Sequence, residues 1–316
     1  MTSERTTATH ERVQQFEPVL GTVLEVRTVA IDALAADDAE ARVLHEFDRL
    51  ERVFSIYDDT SELCRWRRGE QFEPSAELTH VLVLAAQWHR SSGGAFHPAA
   101  RSLADAWRNA EVAGQRPTDA LLAAQVSALA ALPYAIVDGN VVRCGRCDHV
   151  DLNAIAKGYI ADRAVAAVMA DIPSVASVTI NIGGDLVHRG SGSLRVGIED
   201  PLAPYDNVAP KVVVELSNEA MATSGATRRG FRVDDRWYGH VIDPRTGEPI
   251  DRVLSVSVIA PDAATADAVA TVAGVLGPRD GIAYVDSLDA ISVFMVDHDG
   301  VARSNARWAG RVVSVT

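Results

Sequence analysis

The chain has 316 residues, 47% of them hydrophobic and 23% charged, which is enough for a sizeable core. Its net charge of −13 argues against nucleic-acid binding, because nucleic-acid-binding proteins normally present a basic face. No run reaches the roughly 18 apolar residues of a membrane span, and the N-terminus lacks an apolar signal-peptide core. We therefore expect a soluble, cytoplasmic protein with no integral membrane segment. Residues 1–14 should form a disordered tail and residues 15–316 a single domain.

The first half of the chain is predicted to be mainly helical. Residues 16–28 have strand character with a glycine break. Beyond them, apolar residues recur at helical spacing, and capping residues mark helix ends. These patterns predict helices at 37–57, 75–90 and 118–132, the last with Thr118 as its N-cap.

The second half changes character, because β-branched and alternating runs become frequent. They predict strands at 177–182, 194–198, 212–216, 231–233, 237–242, 254–260 and 291–296. Helices are predicted between them at about 154–171, 263–276 and 279–288. Helices cluster early and strands late, without strict βαβ alternation. This order predicts an α+β fold with a largely antiparallel sheet and packed helices.

A short cysteine motif precedes the second half. Cys144 and Cys147 are followed by His149, which together could supply three zinc ligands. A closed zinc site needs four ligands, and no second cysteine pair exists. We therefore favour a β-turn that carries two thiols over a zinc or redox site.

Asp267 and Thr271 form the most informative pair in the sequence. They lie four residues apart in a predicted helix, so their Cβ atoms should be about 5–6 Å apart on one face. A carboxylate and a hydroxyl are hard oxygen ligands that suit Mg²⁺. Alanines around them leave room for a large ligand, which indicates a cation holding a phosphorylated molecule. The alternative is that the pair forms a buried N-terminal cap of the helix.

Common nucleotide-binding and hydrolase motifs are absent from the sequence. It has no P-loop, no G-x-G-x-x-G, no H-E-x-x-H and no G-x-S-x-G. Instead, clusters of glycine and polar residues follow the ends of predicted elements. Each cluster also has a purely structural explanation, such as turn chemistry for the glycines or solvent exposure for Lys157 and His240. The clusters lie at residues 93–98, 150–159, 181–185, 222–225 and 238–247.

Taken together, these clusters resemble the ApbE family, the FAD:protein FMN transferases. The resemblance runs from about Pro18 to Gly277 and includes eight ordered blocks. The most specific are Asp151-Leu-Asn-Ala-Ile-Ala-Lys157-Gly and His240-Val-Ile-Asp-Pro-Arg-Thr-Gly247. The family implies a T-fold-like α+β domain that binds FAD and cleaves its pyrophosphate. It then attaches FMN, through its phosphate, to a Ser or Thr hydroxyl of a target flavoprotein, and AMP leaves.

The resemblance also implies roles for individual residues. Mg²⁺ would be held by Asp267, Thr271 and the main-chain carbonyl of Ala154, and whether Mn²⁺ can replace it is left open. His240 would accept the proton of the acceptor hydroxyl, since an unperturbed imidazole titrates near neutral pH. Asp243 would orient His240 or serve instead. FAD contacts are expected at Leu20, Tyr57, Ala95, Phe96, His97, Asp151, Lys157, His240 and Ile242.

Three positions depart from the family pattern. His97 replaces the usual Asp, which could change how the adenine or ribose is held. Ala226 replaces a common Asp and is followed by Arg228 and Arg229, and Leu20 replaces Met. Two other functions therefore stay open. The chain could be an FAD hydrolase that releases FMN and AMP, or a flavin-binding module that performs no chemistry.

Overall fold

The computed structural model describes residues 10–203, 208–225 and 229–315. Within them, eight helices are α1 (Ala33–Phe54), α2 (Glu62–Arg68), α3 (Ala76–Ser91), α4 (Arg101–Ala113), α5 (Asp119–Ala128), α6 (Asn153–Asp171), α7 (Ala263–Asp286) and α8 (Ala306–Ala309). Fifteen strands are β1 (His10–Val19), β2 (Thr22–Ala30), β3 (Tyr134–Val137), β4 (Asn140–Arg143), β5 (Val175–Ile182), β6 (Asp185–Gly190), β7 (Leu194–Ile198), β8 (Val212–Leu216), β9 (Ala220–Gly225), β10 (Gly230–Val233), β11 (Arg236–Gly239), β12 (Val253–Ala260), β13 (Ser292–Asp297), β14 (Ala302–Ser304) and β15 (Val312–Val315).

The main sheet has eight strands in the order β1-β2-β5-β6-β9-β12-β13-β14, and its neighbouring strands pair antiparallel. Helix α6 packs against β5 and β6, and α7 packs against β9 and β12. Helix α1 covers α6. A smaller sheet, β15-β8-β7, has its own core around Trp308, which stacks on Phe294 of β13. These layers confirm the predicted α+β class.

Several predicted elements form close to their expected bounds. Thr118 caps α5, since its Oγ1 accepts the main-chain N–H of Leu121 at 3.2 Å. Helices α2 and α4 were not predicted. Helix α4 begins without a side-chain cap hydrogen bond, so the sequence carries no local signal for its start. Among the strands, β3, β4, β6, β9, β14 and β15 were not predicted.

Residues 10–14 were predicted to belong to a disordered tail, but they form part of a strand. Residues 10–14 are part of β1 and pair with β2, so His10 faces Ala30 across the ladder. Residues 1–9 lie outside the described residues. The alternation of exposed and half-buried residues in this edge strand is weak, which explains why the sequence suggested no strand there.

Two tight turns bring the strand ends together at one end of the main sheet. Leu20 and Gly21 connect β1 to β2 with φ values of 48° and 73°, which fits a two-residue type I′ turn. The turn from β5 to β6 lies beside it, because the N–H of Gly183 donates to the Val23 carbonyl at 3.3 Å. Leu20 and the first residue of β6, Asp185, are therefore at the same end of the sheet.

Helices α6 and α7 approach most closely at Gly158. A Cβ atom on Gly158 would overlap the main-chain oxygen of Ala263 and lie 2.7 Å from the nitrogen of Ala264. One turn later, Asp162 accepts the N–H groups of Ala263 and Ala264 at 2.9 and 3.0 Å. Since α7 begins against α6 in this way, Lys157 of α6 faces the second turn of α7.

Candidate active site

Two buried carboxylates and a half-buried ammonium meet where α6, α7 and β6 converge. Lys157 forms an ion pair with Asp185, and its Nζ lies 3.7 Å from Oδ2 of Asp267. Asp185 is only 3% exposed, and the Asp267 side chain is 12% exposed. One ammonium therefore faces two carboxylates, which leaves an excess of negative charge in a region of little water.

Burial and charge repulsion shift the pKa values of this cluster. Burial, with an added contribution from the neighbouring Asp185, raises the pKa of Asp267 to about 7 against the opposing charge of Lys157. Burial also raises the pKa of Asp185, again against the attraction of Lys157. Burial alone would lower the pKa of Lys157, but its two carboxylate neighbours outweigh it and raise that pKa. With two carboxylates and one ammonium, the cluster is one positive charge short of neutrality.

The residues present fit a hard cation at Asp267. Its Oδ2 is buried and has no hydrogen-bond partner among the described residues, although such groups are nearly always paired. Thr271 lies one turn further along α7 and is partly exposed, and Ala154 lies in the first turn of α6. The alternative that Asp267 caps α7 is wrong, because Asp262 is the N-cap and accepts the N–H of Thr265 at 2.8 Å.

His240 follows β11 and is held by the main chain of Arg229. Its N–H and its Nδ1 both contact the Arg229 carbonyl, at 3.1 and 3.2 Å. The side chain is exposed to solvent, yet surrounding protein lowers its pKa, as do the charges of Arg229 and Lys157, while the hydrogen bond to the Arg229 carbonyl opposes them. Since the carbonyl accepts from Nδ1–H, Nε2 is left as the basic nitrogen.

Asp243 is engaged elsewhere. Its carboxylate accepts hydrogen bonds from Nε and Nη2 of Arg245 at 2.9 and 2.7 Å. Its carbonyl accepts the N–H groups of Thr246 and Gly247, which closes the turn after the buried Ile242. Among the described hydrogen bonds, none joins Asp243 to His240. The sequence had suggested that Asp243 orients the imidazole. In this structure, the Arg229 carbonyl orients it instead.

The predicted flavin contacts differ in their accessibility. Tyr57 is 83% exposed, so its ring is free to stack on a ligand. Ala95 and Phe96 are 1% and 3% exposed, so their side chains belong to the core and only their main chain can meet a ligand. Asp151 is partly buried before α6, where its Oδ1 accepts the N–H of Asn153 at 2.8 Å. Burial raises its pKa, which that hydrogen bond opposes.

His97 takes over a structural role that suits the family's usual Asp. Its Nδ1 accepts the N–H of Ala99, two residues ahead, at 3.0 Å. An aspartate in an Asx turn makes the same contact. Burial lowers the pKa of His97 to about 4, and His89 contributes to this, so the ring is neutral at physiological pH. The histidine at position 97 therefore accepts the same main-chain hydrogen bond that an aspartate would accept there.

The cysteine motif forms no metal site. Cys144 is exposed, whereas Cys147 is buried, and its thiol lies 3.4 Å from Nε of Arg143. Burial raises the pKa of the Cys147 thiol. In residues 10–203, 208–225 and 229–315, no group of three or more His, Cys, Asp or Glu side chains is placed to hold a metal ion.

A family model described as the ApbE family matches residues 20–295. The chain belongs to the ApbE family. The FAD:protein FMN transferase of Vibrio cholerae is 31% identical over 302 residues, covering 90% of this chain and 87% of that protein. The FAD:protein FMN transferase of Treponema pallidum is 30% identical over 333 residues, covering 95% and 90%.

Solved ApbE structures share the fold of this family member. The ApbE protein of Thermotoga maritima has a TM-score of 0.82 and 25% identity, covering 97% of this chain and all of that one. The flavin transferase ApbE of Vibrio cholerae has a TM-score of 0.77 and 22% identity, covering 96% and 100%. The expected ApbE architecture is therefore confirmed. None of the helices that the structure describes is long and apolar enough to cross a membrane.

Sequence reasoning missed two members of the site in this ApbE protein. Asp185 was noted only as the end of a glycine turn, yet it forms the ion pair with Lys157. Arg229 was noted as a basic residue, and its carbonyl binds His240. The Gly183-Gly184-Asp185 turn was the available signal for Asp185. The departures at Ala226 and Arg228 lie outside the described residues.

Proposed function

We propose that this chain is a Mg²⁺-dependent FAD:protein FMN transferase. It would attach FMN through its phosphate to a Ser or Thr hydroxyl of a target flavoprotein and release AMP. The observation that carries the proposal is the buried Oδ2 of Asp267, which faces Lys157 and has no hydrogen-bond partner in the part of the chain that the structure describes. The names of the related proteins from Vibrio cholerae and Treponema pallidum support the same reaction.

Asp267, Thr271 and the Ala154 carbonyl would hold the cation. When bound, Mg²⁺ supplies charge neutralisation at phosphate oxygens and fixes their orientation. Carboxylate, hydroxyl and carbonyl oxygens are ligands that it prefers. Mn²⁺ remains an alternative with the same donor set. A bound dication would also offset the excess negative charge that Asp185 and Asp267 leave around Lys157.

Lys157 and its partner Asp185 would position the FAD phosphates. The ammonium is buried and its pKa is raised, so it stays charged throughout the physiological range. A fixed cation in a region of little water stabilises developing negative charge more strongly than it would in bulk water. Asp185 fixes the direction of Lys157 through the ion pair.

His240 would act as the general base. Its Nε2 carries the free lone pair because Nδ1–H is bonded to the Arg229 carbonyl. Its lowered pKa keeps the ring neutral near pH 7, so it can accept a proton. The acceptor hydroxyl oxygen then bonds to the phosphorus of the FMN half, and that phosphorus loses its bond to the bridging oxygen. AMP departs with the bridging oxygen, and the hydroxyl proton moves to Nε2.

The remaining expectations stay predictions. Leu20, at the tip of the β1–β2 turn, and the exposed Tyr57 are proposed to contact FAD. Main-chain atoms of residues 95–97, together with Asp151 and Ile242, complete the proposed contacts. A cytoplasmic location and the absence of nucleic-acid binding also remain predictions.

The proposal is tested by incubating purified protein with FAD and Mg²⁺, with and without a candidate acceptor flavoprotein. We expect AMP only when the acceptor is present, and mass spectrometry should show FMN joined to one acceptor Thr or Ser. An acceptor with that Thr replaced by Val is the matched control. Chelation should stop the reaction and added Mg²⁺ should restore it. Free FMN and AMP without acceptor would indicate an FAD hydrolase, and bound FAD that never yields AMP would indicate a binding module.

A further inference from the structure

A second cavity lies behind the turn at Gly93 and Gly94. It encloses about 560 Å³ between the C-terminal ends of α3 and α5 and the loop that carries Arg245. This volume is within the range of about 300–1,000 Å³ that is usual for small-molecule sites. The residues predicted to bind Mg²⁺, Asp267 and Thr271, are not among its walls.

The charge of this cavity is opposite to that of the chain. Its walls contain the side chains of Arg90, Arg245, His89 and His97 and no Asp or Glu. The whole protein has 43 acidic residues and a net charge of −13. Arg90 is exposed and makes no ion pair or side-chain hydrogen bond within the described residues. Arg245 is paired with Asp243 and His97 is neutral, so Arg90 supplies the uncompensated positive charge of the cavity, which favours an anionic ligand.

A buried donor without a partner is set in the wall. His97 is 8% exposed, and its Nδ1 accepts the Ala99 N–H, so the proton of the neutral ring is on Nε2. Within residues 10–203, 208–225 and 229–315, Nε2 has no hydrogen-bond partner of good geometry, although the Leu129 carbonyl lies nearby. The ring is held in place by His89, which packs edge-on at 4.7 Å and donates from Nδ1 to the Phe96 carbonyl.

Helix ends do not explain the cations. Arginine and histidine commonly complement the negative C-terminal end of a helix. Here the last carbonyls of α3 already accept main-chain N–H groups of residues 92–94, and those of α5 accept the N–H groups of Leu129 and Ala130. The lining also includes the apolar residues Val126, Leu129 and Leu132. The cavity therefore offers both a positive charge and apolar side chains to a ligand.

We propose that this cavity binds a small oxyanion with an apolar body, either a phosphate monoester or a carboxylate, separately from FAD. Arg90 and the free edge of Arg245 would pair with the oxyanion, and His97 Nε2–H would donate to it. Val126, Leu129 and Leu132 would cover its apolar part. The site uses His97, the position at which the sequence departs from the pattern of the family. It does not depend on the proposed flavin transfer.

The test is calorimetric titration of the full chain with phenyl phosphate, benzoate and inorganic phosphate. We expect one site, with phenyl phosphate or benzoate bound more tightly than inorganic phosphate because of the apolar side chains in the lining. Loss of one hydrogen bond to a charged group should weaken binding about tenfold in His97→Asn, which can still accept the Ala99 N–H. Arg90→Gln should weaken it about threefold or more. Arg279→Gln, which removes an exposed charge outside the cavity, is the matched control and should bind normally.

Three results would overturn the proposal. They are the absence of saturable binding, equal affinity in Arg90→Gln and wild type, and displacement of the probe by FAD with Mg²⁺, which would place the anion in the flavin cleft. Circular dichroism checks the fold of each variant. Because Arg90 is exposed, its variant decides the outcome even if His97→Asn fails to fold.

Discussion

Two carboxylates at the junction of α6 and α7 show how similar burial can serve different purposes. The side chains of Asp162 and Asp267 are 18% and 12% exposed, and burial raises the pKa of both, to about 6 and about 7. Both oxygens of Asp162 accept main-chain N–H groups at the start of α7. Oδ2 of Asp267 accepts from nothing among the described residues.

The comparison separates a structural carboxylate from one that we propose binds a cation. A buried anion that receives two N–H groups stabilises the helix it caps. A buried anion with an unpaired oxygen costs free energy unless something else binds it. Burial alone therefore does not distinguish the two carboxylates. The hydrogen bonds that each carboxylate oxygen accepts distinguish them and make Asp267 the candidate ligand.

Replacement of Asp267 is expected to have the largest effect, and the effect should be on activity. Asp267→Ala removes the proposed cation ligand, so FMN transfer should fall at least about 100-fold, as expected for loss of a preorganised electrostatic partner. Unfolding in EDTA should show no loss of stability, because the raised pKa of Asp267 indicates that its buried charge is unfavourable in the folded state despite Lys157. AMP release and denaturant titration measure the two quantities. A fully active Asp267→Ala protein would refute the assignment of the cation site.

Widening the contact between the helices should have the next largest effect. Gly158→Ala places a methyl group on the main chain of Ala263 and Ala264, so α6 and α7 must separate. Overpacking against backbone should lower the free energy of unfolding by about 3 kcal/mol. Gly145→Ala is the matched control, since a Cβ there meets nothing within 4 Å. Equal denaturation midpoints for the two variants would contradict the close approach.

Removal of the structural carboxylate should cost stability and leave chemistry intact. Asp162→Ala leaves two main-chain N–H groups without their acceptor, which should lower the free energy of unfolding by about 2 kcal/mol. FMN transfer by the folded variant should stay near the wild-type rate, in contrast to Asp267→Ala. If transfer fell as far as in Asp267→Ala, the distinction between the two carboxylates would be wrong.

The smallest predicted effect is a pH dependence from Asp162. Burial raises its folded-state pKa to about 6 from 3.8, and Asp262 adds to the shift, while two N–H groups and Arg189 oppose it. The folded state therefore binds more protons than the unfolded state between these values. Stability from this group should fall as pH rises from about 4 to about 6. Asp162→Asn should flatten this part of the curve in urea titrations, and parallel curves would contradict the shift.

Local patterns in the sequence predicted the parts of the site that lie within one element. The spacing of Asp267 and Thr271 follows from helical geometry, and Thr118 caps its helix as expected. Asp185 could not be predicted as the partner of Lys157. Their meeting depends on the β5–β6 turn and on the packing of α6 against β6. The ion pair of Asp243 with Arg245 likewise appears only once the turn has formed.

The order of motifs and their spacing determined the family, the α+β class and the identity of most candidate residues, because these depend on residue type and local periodicity. Tertiary structure alone decided which carboxylate lacks a partner, which nitrogen of His240 is free, and that His97 faces a separate cavity. Those properties depend on atoms brought together from distant segments. No local sequence pattern indicates which of those atoms form hydrogen bonds with each other.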